Sequence, residues 1–143
     1  MRSGVQRSIV LAAALLLAPL AQAGQVSVTV DKVRNDSGQV RCGLFNTAES
    51  WRVEERALRT VVAGISAGRV VCDFGNVPEG SYSVAVFHAE NGEERVSYGF
   101  LGKPRQGVGF SNNPSITFGA PDFAKAQVSV GSEPLTLAVE MKY

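Results

Sequence analysis

The chain has 143 residues with fourteen Lys and Arg against thirteen Asp and Glu, a formal net charge of +1, and 45% hydrophobic residues. Near-neutrality excludes a nucleic-acid binder working through a basic stripe that displaces counterions from phosphates, and it excludes strong electrostatic capture by an anionic membrane. The length suits one domain with one core.

The first element is a leader. Arg2 and Arg7 precede an apolar run beginning at Ile9, and Ala21-Gln22-Ala23 has the small-x-small form of a cleavage site. The sequence therefore predicts a signal peptide over residues 1–23 and a mature domain over 24–143. The apolar run is shorter than the ~20 residues a spanning helix needs, so no membrane span is expected after cleavage. Of the 143 residues, 120 remain, and the loss of two arginines leaves twelve basic against thirteen acidic, a net charge of −1.

Short β-branched runs then alternate with Gly, Pro, Asn and Asp, the pattern of an all-β protein. Strands are predicted in "QVSVTVDKV", "QVRCGLF", "LRTVVAGI", "RVVCDF", "SYSVAVFH", "AQVSV" and "LTLAVEMKY". About seven strands point to a single Greek-key β-sandwich, immunoglobulin-like or transthyretin-like. The turn residues "NDSG" at 35–38 predict a hairpin joining the first two strands. Residues 46–57 read as a crossover with at most a short helix, and Trp51 within it as a plug for one end of the sandwich.

Cys42 shares a strand face with Val40 and Leu44, and Cys72 shares one with Val70 and Phe74, so both point to the core. In an exported chain such a pair, 30 residues apart, is expected to form one structural disulfide. A redox-active pair would show C-x-x-C spacing. In "VPEGSYSV", Tyr82 follows a glycine-closed turn into a strand and is expected to brace that turn as in a tyrosine corner.

Two stretches invite chemistry. "GVGFSNNP" at 107–114 begins like a nucleophile elbow at Ser111, yet Asn113 stands where the motif needs glycine and no helix pattern follows. It also lacks the lysine of a phosphate-binding loop. Gly107 and Gly109 are expected to supply backbone angles closed to other residues, Phe110 to pack at the core edge, and Asn112 and Asn113 to adopt left-handed angles or bond their own backbone. The following "FGAPDFAKA" has Phe118 and Phe123 bracketing Pro121, which predicts a packed loop. "FHAENGEER" gathers His88, Glu90, Asn91, Glu93 and Glu94 at a strand end, but EF-hand spacing and a second histidine are absent, so no metal and no cofactor are assigned.

The order "GQVRCGLFNTAESW", "ALRTVV", "VPEGSYSVAVFHAENG", "FLGKPRQGVGFSNN" and "FGAPDFAKAQV" resembles the exported bacterial proteins grouped as domain-of-unknown-function family 2141, over nearly the whole mature chain. The resemblance implies a small transthyretin-like or immunoglobulin-like sandwich, a bacterial envelope location, and one surface feature uniting the histidine loop with the "GFSNN" loop. It brings no activity with it. Ala89 replaces the aspartate that typically follows the family's histidine, which weakens a calcium-like role here.

The expected protein is a monomeric periplasmic or secreted module, not an enzyme, that binds a protein or small ligand of the cell envelope. Its candidate surface comprises His88, Glu90, Asn91, Phe110, Ser111, Asn112 and Asn113, and a strand edge is an alternative recruitment site. The alternatives are a purely structural envelope component and a small metal-dependent or serine hydrolase.

Overall fold

The computed structural model describes residues 4–5, 8–14 and 22–143. Arg2, Arg7, Ala21 and the second half of the leader's apolar run lie outside the described residues. Among the described residues, no helix is long and apolar enough to cross a membrane.

Two sheets form a sandwich, as the alternating pattern predicts. Strand β1 (Ala23–Asp31) turns Val26, Val28 and Val30 inward, each fully buried. It pairs antiparallel with β4 (Val70–Pro78) and parallel with β8 (Leu135–Glu140), giving a three-stranded sheet. In the larger sheet, β2 (Gln39–Phe45) lies between β3 (Arg59–Gly64) and β5 (Gly80–Ala89). The far edge of β5 is shared: β7 (Gln127–Val130) covers residues 80–83 and β6 (Val108–Phe110) covers residues 85–87.

The core lies between the sheets. Val40 and Leu44 of β2 and Val84 and Val86 of β5 meet Val26, Val28 and Val30 of β1 and Phe74 of β4. Each such side chain contributes roughly 1.5–3 kcal/mol by leaving water. Cys42 and Cys72 are joined as a disulfide that ties β2 in one sheet to β4 in the other, and both are fully buried. The Tyr82 hydroxyl donates to the Pro78 carbonyl at 2.6 Å across the tight β4–β5 crossover between sheets.

Four expectations are corrected. There are eight strands rather than seven, because "GVGF" contains β6. "NDSG" is no hairpin turn: β4 and β8 occupy both edges of β1, so β2 must start the other sheet. Those residues instead pin the β3–β4 turn, the Asp36 carboxylate accepting from the Ala67 and Gly68 amides at 3.3 and 3.0 Å. Phe118 does not pack with Phe123; it is fully exposed. Trp51 plugs the outer face of the larger sheet, where its ring meets Phe45, Phe110 and Phe123 and its Nε1 donates to Pro121 O at 2.9 Å.

Candidate functional site

His88 closes the inner face of β5. It has no exposed surface. Its Nε2 lies 2.7 Å from the Ser37 carbonyl, which can only accept, so Nε2 carries a proton and donates. In the neutral ring Nδ1 is then left to accept from the Tyr143 hydroxyl, also at 2.7 Å. That hydroxyl in turn accepts from the Arg34 amide at 3.1 Å. The Arg34 guanidinium covers the Tyr143 ring, 4.6 Å from its centroid, and bonds Glu90 through Nε. This bond, above all, holds the Glu90 carboxyl below the ordinary carboxylate range. Burial raises the Tyr143 phenol, which keeps it a donor.

Ser111 is equally enclosed. On the edge of β5, Val84 falls between the stretch covered by β7 and the stretch covered by β6. Ser111 fills that gap. Its Oγ accepts from the Val84 amide at 2.9 Å and donates to the Ala126 carbonyl, while its own amide donates to Val84 O at 3.0 Å. Asn112 and Asn113 follow in the left-handed region, with φ of 67° and 46°. Asn112 Nδ2 reaches the Lys125 and Gln127 carbonyls, at the short helix α1 (Phe123–Ala126) and the start of β7. Asn113 donates to Ala138 O and accepts from the Glu140 amide, so it grips β8 in the opposite sheet.

The glycines of this stretch act by absence of a side chain, since neither has a positive φ. A Cβ on Gly109 would stand 2.7 Å from Val139 Cγ1 and 3.0 Å from Glu140 O, and one on Gly107 would overlap the Tyr143 ring. The expectation that they adopt special backbone angles is corrected: they permit close approach between sheets.

The surface expected to join the histidine and "GFSNN" loops does not form. His88 and Ser111 expose nothing and have their polar atoms engaged. Glu90 and Asn91 lie at the far end of β5, past its pairing with β6, whereas Asn112 and Asn113 lie beyond the other end of β6, with side chains bonded to backbone. Among the described residues, no three His, Cys, Asp or Glu side chains gather to hold a metal ion.

Of the expected set, Phe110 lines a cleft. On the outer face of the larger sheet, a cleft of about 690 Å³ opens between the sheet, residues 52–57, residues 94–104 and residues 116–120. Strand register sets its floor. One cross-strand row reads Val62, Arg41, Phe87, Val108; the next reads Thr60, Gly43, Ala85, Phe110. Gly43 and Ala85 keep the second row low, with the Phe45 ring lying over Gly43. Phe87, Phe110, Val96 and Ile116 form an apolar cluster on this face, separate from the sandwich core.

Polar groups enter from both the floor and a wall. Arg41 and Glu54 line the cleft, Glu54 from a 3-10 turn at Glu54–Arg56. Burial pushes the Glu54 carboxyl above its ordinary range, and the Arg41 charge and the Val96 amide only partly offset that. At the rim, Arg95 pairs with Glu55. The sequence does not single out this set, because its walls come from three loops remote along the chain. One local signal exists: Arg41 and Gly43 occupy the positions that alternate with the core residues Val40, Cys42 and Leu44.

Fold and site together define a small disulfide-bonded β-sandwich with a mixed polar and apolar cleft on one outer face. A family model described as "Uncharacterized protein conserved in bacteria (DUF2141)" matches residues 28–138, and the chain belongs to that family. No curated protein and no solved structure matches it.

Proposed function

We propose that the chain is an exported, non-catalytic binding module that takes its ligand in the outer-face cleft. The cleft itself carries this reading. Its volume falls within the ~300–1,000 Å³ of small-molecule sites, and it combines apolar walls with a few converging polar groups. Export to the periplasm or beyond rests on the leader's sequence pattern and is compatible with a small disulfide-bonded domain. The non-catalytic reading is supported by the engagement of His88 and Ser111, the residues a hydrolase would need free, in buried bonds to the fold.

Native mass spectrometry of protein isolated from the periplasm without chelators tests this. A retained mass that Ala85→Leu loses, with folding intact, is the expected result. A bare monomer for both forms favours the purely structural envelope component instead, for which the bracing by Ser111, Asn112 and Asn113 is the supporting observation.

A further inference from the structure

Arg41 Nε is the single buried side-chain nitrogen or oxygen among the described residues with no hydrogen-bond partner. Buried donors are almost always satisfied, and leaving one unpaired costs about 1–3 kcal/mol. Glu54, Glu55 and Glu94 line the same cleft, yet none of them accepts a hydrogen bond from Arg41 Nε. The guanidinium therefore stands in a binding cleft with donor capacity that the protein leaves unused.

What lies beside Arg41 constrains what could use that capacity. Its neighbour in the cross-strand row is Phe87, and the adjoining row is lowered at Ala85 before it rises at Phe110. A flat apolar or aromatic body lying along Ala85 between these rings would cover surface that otherwise faces the cleft. The charge of the polar end is bounded too. The charged lining is balanced, Arg41, Arg52 and Arg95 against Glu54, Glu55 and Glu94, so a dianionic phosphate would meet carboxylates as well as guanidiniums. A carboxylate brings one charge and two oxygens that match the planar guanidinium fork. Turning the Nε edge towards it requires a rotamer adjustment of a flexible stem, a common event on binding.

We propose that the cleft recognises a small monocarboxylate with an apolar or aromatic body, its carboxylate held by Arg41 and its body lying over Ala85 between Phe87 and Phe110. This rests on the reading of the cleft as the ligand site.

Calorimetric titration of the purified mature protein with 4-phenylbutyrate, 4-phenylbutan-1-ol and phenethyl phosphate, with amide NMR to locate the shifts, tests it. The acid should bind about tenfold or more tightly than the alcohol, the difference one charge-assisted hydrogen bond makes. Shifts should centre on Ala85, Phe87 and Phe110. Arg41→Met should erase the acid's advantage, and Ala85→Leu should abolish binding of both at unchanged melting temperature. Equal binding of acid and alcohol, with Ala85→Leu abolishing both, would overturn the carboxylate inference and leave the cleft as a site. Tighter binding of the phosphate would overturn it likewise. No cleft shifts with any of the three would sink both this inference and the binding reading. Should Arg41→Met not fold, the comparison of acid with alcohol on the unaltered protein decides.

Discussion

Asn113 holds Glu140 from across the sandwich: its side-chain oxygen accepts the Glu140 amide at 2.9 Å while its Nδ2 donates to the Ala138 carbonyl at 3.0 Å. A side-chain amide thereby acts as one peptide unit of a missing strand beside β8. The same residue carries φ of 46°, a conformation Asn tolerates better than most. Asn113→Ala loses both bonds and keeps the backbone strain, so a loss of about 1–3 kcal/mol is expected in urea denaturation. Asn113→Gly relieves the strain and should cost less than Asn113→Ala. Equal stability of Asn113→Ala and the parent would show that β8 does not depend on the Asn113 bonds.

The disulfide is the second determinant of stability. Closing a loop of 30 residues restricts the unfolded chain by an amount worth about 3 to 4 kcal/mol. Cys42→Ser with Cys72→Ser should lower the unfolding free energy by about that much, read from guanidinium denaturation. Because both sulfurs are buried between the sheets, alkylation should be negligible until the protein is both reduced and unfolded. Rapid labelling of the native protein would contradict the bond.

The cluster around His88 sets two pH limits. Glu90 has its folded-state pKa lowered from 4.5, chiefly by the bond from Arg34, so its contribution is present above that value and is lost as pH falls through the depressed one. Tyr143 has its pKa raised from 10.0 by burial, so its contribution is full below 10 and is lost as pH climbs towards the higher folded value. Melting temperature should accordingly fall off on both sides. Glu90→Gln should flatten the acid limb only slightly, since the pair is partly exposed and screened by solvent. Tyr143→Phe should remove the alkaline effect of this group and, by leaving His88 Nδ1 without a donor, cost about 1–3 kcal/mol at neutral pH. An acid limb identical in Glu90→Gln and the parent would remove Glu90 from this role.

These residues show what a sequence discloses. Alternation of Val40, Cys42 and Leu44 with Arg41 and Gly43 is a local property, so the inward cysteines and the all-β class are legible in the residue pattern alone. Pairing is not local. "NDSG" has every mark of a hairpin turn, and only the capture of both edges of β1 by β4 and β8 shows that it joins two sheets. Strand β6 escapes notice because it is three residues long, preceded by Gly107 and centred on Gly109, and its identity comes from the exposed edge of β5 that it covers. His88 and Ser111 look reactive in isolation because burial and partners 15 to 55 residues distant cannot be read from their neighbours. The cleft is hidden for the same reason: Arg41, Glu54, Ala85 and Ile116 meet only after folding.

Trp51 links the core of that outer face to the cleft wall. Its ring packs edge-on to Phe45 with centroids 5.4 Å apart and also meets Phe110, which lines the cleft. Its Nε1 bond to Pro121 O fixes the chain directly after Gly119 and Ala120, two residues of the opposite wall. Trp51→Phe preserves an aromatic body and loses that bond, for an expected cost of about 1 kcal/mol. Trp51→Ala removes the body as well, and because the ring is only half-buried the loss should fall near the lower end of the ~3–5 kcal/mol seen for large aromatic truncations. Hydrogen exchange separates the two effects. Both variants should exchange faster at residues 116–121, where the anchor is lost, whereas only Trp51→Ala should also accelerate Phe110 and Ser111. Unchanged exchange at residues 116–121 in both variants would mean that the loop is held by its own contacts, and that the cleft wall does not depend on Trp51.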